Sequence, residues 1–429
     1  MRYQPLNNTF YKSTRAKLAK MLRPNSVAIL NANDLMPTNA DGTMKFRQNN
    51  DLFYLSGIDQ EETILLICPD FPSETMREVL FVRETNEQVV VWEGHKLHQS
   101  EAAELSGVKT VRWTSEFDQV LQGILSHVDH VYLNTNEHRG ASNEVESRDA
   151  RFVKKLKEAY PLHRYERLAP LLGELRSIKA PDEIDQLQKA CDITEKGFRR
   201  VLDFTKPGVK EYEIEAEYLH EFVRHGSRGF GYEPIVGSGA NSCVLHYLEN
   251  DQVCHSGDLI LMDVGAEYGN YNADMTRTVP VNGRYTPRQR EVYDAVLRVM
   301  RAAEKMLRPG VLLQDYHKEV GALVEAELIG LGLLDKRDVR KQDPANPLYR
   351  KYFMHGTSHP LGLDVHDVGS IYAPVKAGMV FTIEPGIYIR EESIGIRLEN
   401  NYVIGEKSNK DLMAEIPIEA EEIEGLMNQ

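Results

Sequence analysis

Asp258–Val281 reads DLILMDVGAEYGNYNADMTRTVPV, and Met379–Ile404 reads MVFTIEPGIYIREESIGIRLENNYVI. Each is an apolar, β-branched run, a glycine-containing turn and a second such run, which predicts two strand–turn–strand units. Each unit also carries two carboxylates inside or at the end of apolar β sequence. Asp263 follows Leu259–Met262, Asp274 precedes Met275–Thr278, Glu384 follows Val380–Ile383, and Glu399 follows Ile394–Leu398. Between the units lie two helix-like segments, RQREVYDAVLRVMRAAEKML and LQDYHKEVGALVEAELIGLG, and Asn282-Gly283 marks a tight turn before the first of them. Two similar halves, with helices packed on one curved antiparallel sheet, make this region an α+β domain.

Outward from that core the chain has 429 residues, more than one ordinary hydrophobic core holds, and two domains are expected. The first part alternates strand patterns (SVAILNAN, ETILLICPD, EVLFVRET, HVYLNTN) with helix patterns (HQSEAAELSGV, SEFDQVLQGILSHV), and reads as a mixed α/β domain. Within it Phe53–Ile58, FYLSGI, reads as a strand edge and turn. Its five histidines between His95 and His138 show no ligand-like arrangement with acids and read as surface residues. A proline-punctuated stretch, PLHRYERLAPLLGELRSIKAPDEI, leads into a helix over Pro181–Phe204. The boundary falls near Gly173, with residues 1–172 as the N-terminal domain and 173–429 as the C-terminal one.

Composition removes several classes of function. The formal charge of −14 disfavours a phosphate backbone as partner, so no nucleic acid is expected. No apolar run reaches 18 residues and the N-terminus lacks a secretory pattern, so neither membrane nor export is expected. The four cysteines, Cys68, Cys191, Cys243 and Cys254, are scattered and read as reduced, buried thiols of a cytoplasmic protein.

Taken singly, each acid has a bland explanation. Asp274 could pair with Arg277 on the surface, and Arg397 with Glu399 along one strand face. Four carboxylates on two apolar units are harder to explain one by one. Clustered carboxylates repel one another unless cations hold them. His355-Gly-Thr-Ser-His359-Pro-Leu-Gly-Leu-Asp-Val-His366-Asp367 adds three histidines within 12 residues, on a glycine- and proline-punctuated loop or irregular strand. They read as ligand and acid–base groups. Four carboxylates and an imidazole suit two divalent metals ~3.5–4 Å apart, Mn²⁺ first, with Co²⁺ or Zn²⁺ also fitting. Such a pair acidifies water and polarises a carbonyl, the two needs of amide hydrolysis. A backbone turn after Gly237-Ser238-Gly239 presents His246, and the stretch lacks the lysine and third glycine of a phosphate loop.

The segments DVGAEYGNYNADMTRT, HGTSHPLGLDVHDVG, TIEPGIYI and GIRLENNYVI resemble the pita-bread metallopeptidases, over about residues 174–411. FRQNNDLFYLSGIDQEETILLICPD and LFVRETNEQVVVWEGHKL are similar to the amino-terminal domain of the aminopeptidase P family and argue against methionine aminopeptidase. The resemblance implies a pita-bread catalytic domain with a pseudo-two-fold. It implies Asp263, Asp274, His359, Glu384 and Glu399 as metal ligands, with Asp274 and Glu399 bridging both metals. Glu384 would also relay a proton from a bridging hydroxide. His246 and His366 would contact substrate at the scissile bond, and His355 would help stabilise the oxyanion. Arg397 and Tyr388 would orient Glu399 and close the pocket, and Tyr232 would line the substrate site. The implied activity is release of the N-terminal residue from peptides with proline second, in a homodimer or homotetramer. Prolidase, which cleaves Xaa-Pro dipeptides, is the nearest alternative. A non-catalytic peptide-binding module of the same fold is the alternative from another class, disfavoured because no ligand position is lost.

Overall fold

The computed structural model describes residues 2–141 and 144–429. The chain divides into two units, Pro5–Arg176 and Ser177–Gln429, with residues 2–4 belonging to the second. The division lies one turn beyond 172/173, in the last turn of the helix Ala169–Ser177, because Gly173 sits inside that helix rather than at its end. Among the described residues no helix is long and apolar enough to cross a membrane.

The first unit is built on a six-stranded mixed sheet. Its order is Thr110–Trp113, Glu78–Val82, Ile64–Ile67, Ser26–Asn31, His130–Leu133, Arg164–Arg167. Ser26–Asn31 is antiparallel to Ile64–Ile67 and parallel to His130–Leu133, and every residue of it is buried. A strand covered on both faces reads as a continuous apolar run, which is why it was visible in the sequence. One core forms around Val27, Ile29, Leu66, Phe81, Phe117, Ile124 and Val131. Four of the five histidines between His95 and His138 are exposed. His130 is half-buried, with its Nδ1 3.1 Å from Glu166 Oε1.

Phe53–Ile58 departs from expectation: Asn50–Ser56 is a helix, not a strand edge. The Asn49 side chain accepts from the backbone N–H groups of Asp51 and Leu52, and Gly57 closes the helix in the left-handed region at φ 70°. A Cβ on Gly57 would also lie 2.4 Å from the Tyr11 ring. The caps override the strand-like look of a short apolar run.

The second unit has long helices Pro181–Phe204, Glu211–Arg224, Pro287–Met306 and Leu313–Gly330, and antiparallel ladders that carry the acidic residues. Leu259–Val264 pairs with Met275–Pro280 on one side and with Ile235–Ser238 on the other, placing Asp263 opposite both Thr276 and Ile235. Val380–Ile383 pairs with Asn400–Val403, and Gly386–Ile389 with Ile394–Arg397. The two halves are stitched together where Glu399 N donates to Thr276 O (3.1 Å) and Arg397 N to Thr278 Oγ1 (3.3 Å). Gly265 permits the turn between Asp263 and Asp274: a Cβ there would fall 1.8 Å from Ala273 O.

Candidate active site

The histidine segment runs as an irregular strand beside Val380–Ile383. Leu361 N donates to Val380 O, Thr382 N to His359 O, and Glu384 N to Thr357 O, at 2.8–3.0 Å. These bonds bring His359 and Glu384 side by side, with Nε2 and Oε1 3.5 Å apart. His359 Nε2 is also 3.3 Å from Asp274 Oδ2. Its Nδ1 is 2.9 Å from Pro360 O, so Nδ1 carries the donated hydrogen and Nε2 faces the carboxylates. Asn401 clamps the backbone of Asp274: its Oδ1 accepts from Asp274 N at 3.0 Å, and its Nδ2 donates to Asp274 O at 2.6 Å.

Asp274, His359 and Glu399 bring one ligand atom each within 4.8 Å of the others. Asp263 joins them through Tyr232, whose Oη lies 2.6 Å from Asp263 Oδ1 and 2.6 Å from Asp274 Oδ1. Tyr232 therefore touches the acidic cluster itself. All five positions singled out in the sequence converge, drawn from two hairpin-like units and the histidine segment.

The electrostatics of this cluster are unfavourable as protein alone. Burial, followed by the charge of Asp274, pushes Glu399 well above the carboxylate range. Burial also raises Asp274 and carries Glu384 up to about 7. Burial opposes a charge on His359, but the Asp274 bond and the Glu384 charge override it and raise the imidazole to about 9. Glu399 Oε2 accepts from Thr276 Oγ1 at 2.7 Å, whereas Oε1 is buried with no hydrogen-bond partner among the described residues. A buried, unpaired carboxylate oxygen is costly. An oxygen-rich set with one imidazole and a spare, buried carboxylate oxygen fits divalent cations.

Neither bland pairing occurs. Arg277 is fully buried and donates to Pro417 O, Thr276 O, Glu399 O and Asn400 Oδ1, not to Asp274. Arg397 Nη2 donates to Asp263 Oδ2 at 2.5 Å rather than to Glu399. Arg397 reaches Glu399 only through Thr276, donating from Nε to Thr276 Oγ1 at 3.0 Å while that hydroxyl donates onward. Arg397 ends one ladder and Glu399 lies in the two-residue break before the next, Asn400–Val403, so the i, i+2 relation of a single strand does not hold across them.

Arg397 Nη1 donates to Tyr388 Oη (2.8 Å), and Tyr388 Oη lies 2.8 Å from His355 Nε2. His355 Nδ1 donates to Gly356 O at 2.8 Å, leaving Nε2 to accept from the tyrosine. Burial, with the charge of Arg397, lowers His355 to about 3, so it is neutral at ordinary pH. His366 is exposed and lies against His359, the rings tilted by 56° with centroids 4.2 Å apart. His246 is exposed, three residues beyond the turn Gly239–Cys243.

Sequence reasoning missed Thr276 and Asn401. The two-residue spacing of Thr276 from Asp274, which lies just before the strand Met275–Pro280, is the only signal that could have found Thr276. Nothing in the sequence marks Asn401, because its partner is a backbone 127 residues away.

Residues 185–406 match metallopeptidase family M24, and residues 11–132 match the aminopeptidase P N-terminal domain. The chain is 37% identical to the Xaa-Pro aminopeptidase of Escherichia coli (strain K12), across 97% of each chain. The structure is similar to that of Pseudomonas aeruginosa aminopeptidase PepP (TM-score 0.90, 31% identity, covering 99% of this chain and 98% of the other). It is also similar to Zn-substituted E. coli aminopeptidase P in complex with product (TM-score 0.88, 35% identity, 99% of each chain).

Proposed function

The chain belongs to metallopeptidase family M24, and from that premise we propose how its own residues release the first amino acid from peptides whose second residue is proline. It is an Xaa-Pro aminopeptidase, a hydrolase with a divalent metal site. Asp263, Asp274, His359, Glu384 and Glu399 would hold two divalent ions, Mn²⁺ before Co²⁺ or Zn²⁺ for so oxygen-rich a set. Bound there, such ions supply Lewis-acid polarisation of the scissile carbonyl and acidify water.

Glu384, with a proton affinity near neutrality, is suited to take a proton from the attacking water and return it to the departing proline nitrogen. His355 is kept neutral and aligned by Tyr388, and Tyr388 by Arg397; its one N–H, given to Gly356 O in the free protein, would turn to the developing oxyanion in exchange for that bond. His246 and His366, both exposed, contact the peptide on either side of the scissile bond. The carboxylates that remain attract the free α-ammonium group, which selects an N-terminus. We assign the protein to the cytoplasm and to a homodimer or homotetramer, in keeping with four buried free thiols.

The observation that carries this reading is the buried Glu399 Oε1, without a hydrogen-bond partner among the described residues, within a cluster of mutually repelling buried groups. The test is hydrolysis of Ala-Pro-Ala and Ala-Pro by metal-stripped protein before and after Mn²⁺ is restored. Metal-dependent release of alanine from the tripeptide is expected. Cleavage confined to the dipeptide would make the enzyme a prolidase, and no cleavage of either would overturn the substrate assignment.

A further inference from the structure

Glu211 is the first residue of the helix Glu211–Arg224 and is 0% exposed. No ion pair accompanies its carboxylate among the described residues. Four neutral donors do. Oε1 accepts from Ser238 N and Ser238 Oγ, each at 2.7 Å. Oε2 accepts from Tyr247 Oη at 2.8 Å and from Gln252 N at 3.0 Å. The position at a helix N-terminus also favours a negative charge.

These donors are not scattered. Ser238 ends the strand Ile235–Ser238, Gln252 ends the loop that leaves it, and Tyr247 sits in the loop directly after His246. Glu211 N donates to Gln252 O at 3.0 Å, so backbone and side chain both grip the loop's return. Asn250 closes the same base: its Oδ1 accepts from Val236 N, and its Nδ2 donates to Glu215 Oε2 and Pro234 O. Within the loop, Tyr247 and Cys243 pack with Tyr388, the residue bonded to His355. The loop thus lies against the active site, and one carboxylate fastens it at its start, its end and the position beside its histidine.

We propose that Glu211 is a positioning residue for His246, acting on catalysis only by holding the loop 239–252. The carboxylate is needed because a single side chain must accept four times. An amide in its place keeps its shape but loses an acceptor for Gln252 N and forces the Tyr247 hydroxyl to reverse. The proposal rests on the role given to His246 above.

The test is a pair of double-mutant cycles on the metal-loaded enzyme, Glu211→Gln with His246→Ala and Tyr247→Phe with His246→Ala. Activity is followed as kcat and KM on an Xaa-Pro tripeptide. Glu211→Gln is expected to lower kcat/KM at least ~10-fold, a loss typical of a supporting contact one step from the site, and Tyr247→Phe by a smaller factor. In the His246→Ala background both changes should alter kcat/KM less than twofold while lowering Tm as they do alone. An equal loss in both backgrounds would overturn the proposal, as would full activity in Glu211→Gln. Should Glu211→Gln fail to fold, the Tyr247→Phe cycle decides. Full activity in His246→Ala would instead refute the role of His246, and with it the premise. A direct readout accompanies the rates. The imidazole resonance of His246, assigned by its loss in His246→Ala, should shift or broaden in Tyr247→Phe, and an unchanged resonance would overturn the proposal.

Discussion

Glu211 and Glu399 are carboxylates of the same unit, 0% and 1% exposed, and their surroundings are opposite. Glu211 is met by four donors from the end of one strand and the loop that leaves it, with every lone-pair direction used for structure. Glu399 has one donor, Thr276 Oγ1, and an oxygen with none, and it stands among Asp274, Glu384 and Asp263. Burial is equal, so burial alone does not mark a functional acid. What separates the two is whether the protein completes the carboxylate's hydrogen bonding or leaves it for something that binds.

Glu399→Gln breaks this comparison most sharply. It should remove activity by more than the ~10–100-fold that losing an outer-shell partner costs, since it removes a ligand. The metal-free chain should meanwhile melt no lower at pH 8, because a desolvated and repelled charge has gone. Measured metal content together with Tm checks both, and a metal-free Tm several degrees lower would show that the protein does complete Glu399.

A second prediction sharpens the contrast through pH. In the stripped chain Glu384 is raised to about 7 and His359 to about 9, both above their unfolded values. Each binds its proton more tightly folded than unfolded. The stability this gives is present at lower pH and is lost as pH rises through 7 for Glu384 and toward 9 for His359. The stripped protein should therefore melt progressively lower from pH 7 to pH 9, and Mn²⁺ should abolish most of that fall. A melting temperature rising over the same interval would contradict the assignment.

The smallest effect concerns a third buried acid, in the N-terminal unit. Asp149 is 8% exposed and accepts from Asn31 Nδ2 at 2.9 Å, and burial raises it to about 7. Its stability contribution is present at acid pH and lost as pH rises through 7. Asp149→Asn should raise Tm at pH 8 by ~2–4 °C and change it little at pH 5, without affecting catalysis per folded enzyme. A drop at pH 8 would mean that the charge itself is needed there.

The legible features share a cause. Apolar runs buried on both faces show as continuous β sequence, and a carboxylate interrupting such a run is conspicuous because nothing local pays its desolvation. That made Asp263, Asp274, Glu384 and Glu399 visible, and the glycine-spaced histidines supplied the rest. The helix Pro181–Phe204 was equally plain from its proline start and apolar periodicity. Phe53–Ile58 was misread because a short apolar run is consistent with either period, and Asn49 and Gly57 decided it. The bland Arg397–Glu399 pairing that strand spacing allowed does not form, because the break between two ladders turns Arg397 to Asp263.

The sequence by itself therefore determined the two-part organisation, the paired acidic strands and the residues of the acidic cluster, since these follow from local periodicity and desolvation cost. Only the tertiary structure decided which carboxylates are satisfied. Glu211, on which the sequence gives no signal, accepts from donors up to 41 residues away, while Thr276, Asn401 and the Arg397–Tyr388–His355 chain took their roles from partners far away in sequence. Hydrogen-bond satisfaction is a property of three-dimensional neighbours, and no pattern along the chain encodes it.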